Sequence, residues 1–130
     1  MVMRLDVVRL AAGNRLFVEG GSGDVVGVVA WGGEELLPCV RDSDVELAVP
    51  SAVDWRDIGV GDRAANVPAP ACEELRLRGL IEDLDQDGVL TVLAAGHLVL
   101  IDTVGEPPFH VVGQEVAMLV RAAEVYPTGV

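Results

Sequence analysis

Lysine is absent from this 130-residue chain, and all nine basic residues are arginines. That excludes chemistry that needs a lysine: a Schiff base, a P-loop, a lysine general base. Against the nine bases stand 21 acids, a formal net charge of −12. Nothing here neutralises a phosphate backbone, so no nucleic-acid partner is expected. Aromatics make up 4% of the chain, which leaves Val, Leu and Ala to fill the core. Two cysteines, Cys39 and Cys72, are too few for a disulfide framework and read as small buried hydrophobes. No apolar run reaches the ~18 residues of a membrane-spanning helix, so direct membrane insertion is not expected. The opening MVMRLDVVRL is punctuated by charge and lacks a signal-peptide hydrophobic stretch. A cytoplasmic location is the resulting expectation.

What the chain does have is a 51% hydrophobic composition and a mean hydropathy of +0.41, enough to exclude global disorder. Its apolar residues fall in short Val- and Leu-rich runs between Gly, Pro, Asn and Asp. Strands are expected at 4–10, 15–19, 25–30, 35–40, 45–49, 74–84, 89–94, 97–103, 115–121 and 124–126. No segment keeps an i, i+3, i+4, i+7 apolar pattern for three turns. One short helix is expected near 51–57, capped by Ser51 or Asp54. The pattern predicts an all-β fold, a sandwich or a small barrel. The run Val67-Pro68-Ala69-Pro70-Ala71 cannot continue a central strand and marks a seam. It divides the chain into 1–66 and 67–130, two lobes or two parts of one intertwined domain. An internal echo spans the seam. Gly33-Glu34-Glu35-Leu36 through Val40-Arg41 to Asp44-Val45 aligns with Gly113-Gln114-Glu115-Val116 through Val120-Arg121 to Glu124-Val125.

Residues 77–127 carry further signals in order. Gly79-Leu80-Ile81-Glu82-Asp83-Leu84 opens a strand unit, Gly88 turns it, and Val89–Leu93 is a second strand. Val112-Gly113-Gln114-Glu115-Val116 and Glu124-Val125-Tyr126 close it. In this arrangement the chain resembles the TOBE domain, the small OB-like barrel at the C-terminus of many ABC-transporter ATPases. The first half adds Val40-Arg41-Asp42-Ser43-Asp44-Val45-Glu46-Leu47-Ala48. It is similar to a Val-Arg-Pro-Glu-Asp-Val-x-Leu-Ala motif of those tails, with Asp42 and Ser43 in place of proline and glutamate. The resemblance implies tandem OB-like lobes in a non-catalytic module that regulates transport or senses a ligand. It also implies barrels that pair, and so a homodimer. The ATPase relatives hydrolyse ATP on a separate P-loop domain, for which this chain has neither the lysine nor the length.

Several constellations have two readings. Asp83, Asp85 and Asp87 alternate, with Gly88 sixth, as at the front of a calcium loop. The twelfth position is Ala94 rather than a bidentate Glu, and the same residues suit an acidic hairpin turn. Trp55 beside Arg56 reads as a core plug or as an exposed anchor for a protein partner. His97 and His110 are the only histidines, and no Cys or His stands at zinc-finger spacing. Gly20-Gly21-Ser22-Gly23 leads into a strand, as a hairpin loop does and a phosphate loop does not. No catalytic residue and no cofactor site emerges.

The leading reading is a non-catalytic module for a protein partner or small ligand. A small β-barrel enzyme of cyclase or isomerase type is the second. An acidic inhibitor or immunity-type protein for a basic partner is the third. An interior apolar cavity of roughly 300 Å³ or more favours the enzyme, and a filled barrel favours the other two.

Overall fold

The computed structural model describes residues 3–10, 14–32 and 43–127. Strand accounts for 57% and helical turn for 11%. The strands are β1 (Met3–Leu10), β2 (Arg15–Gly20), β3 (Val25–Trp31), β4 (Ser43–Ala48), β5 (Val53–Asp54) and β6 (Ile58–Val60). After the proline-rich connector come β7 (Glu74–Leu84), β8 (Val89–Ala94), β9 (His97–Val104), β10 (Glu115–Arg121) and β11 (Glu124–Pro127). The strand expected at 35–40 lies outside the described residues. The helix expected near 51–57 shrinks to one 3-10 turn, Trp55–Asp57, which Asp54 caps by accepting from the Arg56 N–H. It sits between β5 and β6, strands too short to leave a periodic signal.

Alternation explains the strands. In β8, Leu90, Val92 and Ala94 are buried while Val89, Thr91 and Leu93 are only partly so. The sheet curls into a half-barrel, and its strands bury Leu75, Leu77, Ile81, Leu90, Ile101 and Met118 completely. Each such side chain contributes about 1.5–3 kcal/mol by leaving water.

The pairing is repetitive. In β1–β2, Asp6↔Glu19 and Val7↔Val18 precede a register slip, after which come Arg9↔Phe17 and Leu10↔Leu16. In β7–β8, Leu80↔Leu93 and Ile81↔Val92 precede a slip, then Asp83↔Thr91 and Leu84↔Leu90. Every residue of the second set stands 74 positions after its counterpart, the slip included. The third and fourth strands keep the same partners at slightly shorter offsets. Leu16 pairs with Val29 in β3 and Leu90 with Ile101 in β9, with Ile101 72 positions after Val29. Met3↔Val45 joins β1 to β4 and Leu77↔Met118 joins β7 to β10, with Met118 73 positions after Val45.

This repeat differs in register from the one read in the sequence. Residues 33–42 of that echo lie outside the described residues. Its tails, Val45 and Val125, fall on β4 and β11, which pair with each other. By its partners β4 matches β10 instead. Each half ends in a strand segment given to the other. β11 pairs antiparallel with β4 and parallel with β3, while β6 pairs antiparallel with β10 and β5 parallel with β9. Direct pairing of β3 with β7 adds a further tie. The 3-10 turn at Trp55 interrupts the exchanged segment of the first half, and β11 runs without a break.

Cys72 corrects an expectation. It is exposed, in the turn leading to β7, where the chain has not yet entered the sheet. Cys39 lies outside the described residues.

Candidate functional site

Two constellations far apart in the sequence meet at Thr103, near the end of β9. The Thr103 hydroxyl donates to the Gly88 carbonyl at 2.6 Å and accepts from the Trp55 indole Nε1 at 3.1 Å. The Thr103 N–H also donates to the Gly88 carbonyl, at 2.9 Å. One side chain therefore fastens the Asp85–Gly88 turn and the Trp55 turn to the same end of the sheet.

In the first turn, Asp85 is spent on its own backbone. Its Oδ1 accepts from the N–H groups of Asp87 and Val89, both at 2.9 Å. This is the hairpin role of an Asp before an Asp-Gly turn. Among the described residues no three His, Cys, Asp or Glu side chains gather to hold a metal. Asp83, Asp85 and Asp87 remain three exposed carboxylates along a strand end and turn.

In the second turn, Trp55 is 7% exposed and joins the core. It is therefore not an exposed anchor: its ring fills the barrel end, and its only polar atom is satisfied by Thr103. Arg56 points outward and grips Asp54. Its Nε reaches Oδ1 at 3.2 Å and its Nη2 reaches Oδ2 at 3.1 Å. That side-chain hydrogen bonding, then the Arg56 N–H bond, holds the Asp54 carboxyl below its ordinary pKa and, with the carboxylate's charge, raises that of Arg56. Exposed pairs of this kind add little stability.

The same turn separates two open clefts. One, about 820 Å³, runs between β5–β6, the proline-rich connector and β10, with Arg56, Arg63 and Arg121 on its walls. The other, about 660 Å³, lies between the turn and the 105–109 segment. Asp54, Asp57 and Glu74 share the larger cleft and balance its three arginines, so it is not an anion trap. Arg63 faces both clefts and has no ion-pair partner among the described residues.

The most exposed aromatic among the described residues stands elsewhere. Phe109 is 91% exposed, on a connection held at several points. Val111 is buried, the Gly113 N–H donates to the Ile81 carbonyl at 2.7 Å, and the Ile81 N–H donates to the Gln114 carbonyl at 2.9 Å. Pro107 and Pro108 stiffen the approach. The signal was the run Pro-Pro-Phe: an aromatic that follows two prolines has no strand in which to hide. Of the histidines, His97 opens β9 half-buried and His110 follows Phe109 on the surface. Comparison with protein-family models, with curated proteins and with solved structures finds no match for this chain.

Proposed function

We propose that this chain is a non-catalytic binding module of TOBE-like type. In this reading its OB-like lobes serve transport or small-ligand sensing and hold a protein partner or small ligand on the outside of the sheet. The observation that carries the reading is an interior built from apolar side chains. Twenty-six apolar residues are buried, and no polar or charged residue is buried among the described residues. An enzyme of cyclase or isomerase type needs a shaped apolar cavity with a few convergent polar groups. The clefts here are open to the surface, and they meet the core only along their walls, at Val53, Trp55, Ile58 and Val120.

Xenon mapped by methyl NMR tests this reading. A filled core predicts no saturable shift at Ile81, Leu90 or Ile101. Saturable shifts at those methyls would replace the module with the pocketed enzyme.

A further inference from the structure

The outer face of β7–β8–β9 is built in cross-strand rows that the register defines. The first row is Glu115–Leu80–Leu93–Leu98. The second is Asp83–Thr91–Leu100, and the third is Val89–Asp102. Leu98 is 53% and Leu100 63% exposed, and Leu80 and Val104 are exposed as well. An outward leucine is ordinary when it stands alone. Four in adjoining rows form a patch, and such a patch marks an interaction site. Each row also carries one carboxylate, from Glu115, Asp83 or Asp102, and Arg78 stands beside the first row, lining a surface depression with Leu80, Leu93 and Glu115.

We propose that this face docks a protein whose contact surface sets basic side chains around apolar ones, a reading that rests on the binding-module function above. Charge complementarity decides the occupant. The partner's cations would meet Glu115, Asp83 and Asp102 while its apolar groups cover Leu80, Leu93, Leu98 and Leu100. A second copy of this chain would set those same carboxylates against one another. A nucleic acid or an anionic membrane would meet only repulsion. The net charge of −12 draws a basic partner from a distance, and the rows of carboxylates set its orientation.

The probe is a synthetic peptide alternating Leu and Lys, with a Ser/Lys peptide of equal charge as control. Binding is measured by calorimetry and mapped by amide NMR on the intact chain. The Leu/Lys peptide is expected to bind about tenfold or more tighter than the control. Its footprint should centre on residues 98–102, and high salt should weaken it. The double variant Leu98→Ser/Leu100→Ser should lose that advantage while keeping the melting temperature and the weak affinity for Ser/Lys. Equal binding of the two peptides overturns the proposal, because charge alone would then explain it. So does a footprint on Phe109 or on the clefts beside Arg63, an outcome that leaves the binding-module reading standing. Sedimentation as a dimer that the double variant separates assigns the face to a second copy and also overturns it. Uptake of xenon into the core refutes the module reading itself, whatever the peptide does.

Discussion

The outer faces of β3 and β9 occupy matching places in the two hairpins and present different surfaces. By register Val26, Val28 and Ala30 correspond to Leu98, Leu100 and Asp102. The first set is half-buried throughout; all three of the second are exposed. The cause lies in the exchanged segments. Beside β3, β11 runs on unbroken, and a Cβ added at Gly32 would lie 2.3 Å from the edge of the Tyr126 ring, so Tyr126 lies against the end of β3. Arg121, Glu124 and Tyr126 wall a cleft of about 560 Å³ over Val28 and Ala30. Beside β9, the 3-10 turn breaks the strand, turns Trp55 into the core and sends Arg56 outward. The sheet face next to it stays bare. One backbone plan used twice thus gives one covered face and one open face, decided by three inserted residues.

The largest expected effect comes from a glycine that only one half needs. Gly27 has φ +137, and a Cβ there would lie 2.3 Å from the Glu74 carbonyl oxygen. Its counterpart in β9 is Val99, which carries a buried side chain. Gly27→Ala is expected to cost about 3 kcal/mol or more in urea unfolding, combining a left-side φ with a backbone clash. A loss below ~1 kcal/mol would mean that β3 and β7 do not approach as closely as described.

The two hairpin turns touch, and they should respond unequally. Gly21 has φ +58, and its added Cβ would be 2.7 Å from Ala95 in the other turn; Gly96 has φ +80 with open space around it. Gly21→Ala is expected to cost about 2 kcal/mol and Gly96→Ala about 1 kcal/mol, since only the first adds overpacking to backbone strain. Equal losses would break the claim that the turns meet.

Thr103 ties the open half together, so its bond to Trp55 should be measurable. Trp55→Phe keeps an aromatic ring and removes the indole donor. It is expected to cost about 1 kcal/mol. In a cycle with Thr103→Val the two losses should fall short of adding. Full additivity would show that the bond contributes nothing.

The smallest effect concerns pH. Asp54 titrates below its ordinary value in the folded chain because Arg56 bonds the carboxylate. A carboxyl depressed on folding supplies stability above its unfolded pKa and loses it as pH falls through the folded one. Arg56→Ala should therefore raise the Asp54 pKa in a carbon-13 carboxyl titration and flatten the acid limb slightly. An unchanged pKa would show that Arg56 is free in solution.

Much of the fold was legible because burial in a sheet leaves a period of two. The alternation in β8 and β9, the Asp-Gly turn and the break at Pro68 and Pro70 are local features, and each appeared where its residues stand. The register slip shared by β1–β2 and β7–β8 was not legible. A bulge costs one residue, and in a Val-rich chain one residue of slip looks like noise. The sequence therefore offered an echo at Val45 and Val125 in place of the 74-residue repeat. At the site, Asp54 as a cap and Asp85 in an acidic turn were readable from their neighbours. Trp55 was not, since Trp beside Arg suits a core as well as a surface.

What the sequence by itself determined is what short-range chemistry determines: strands, turns, an apolar interior without lysine, and a surface dominated by carboxylates. Which strand each half gives away, that Trp55 turns into the core beside an outward Arg56, and which outer face stays open were decided by tertiary structure. These depend on pairings between residues far apart, such as Val53 with Thr103 and Val125 with Trp31. No local run of residues specifies those pairings. They form because closing the curled sheet removes more apolar surface from water than either half can remove alone.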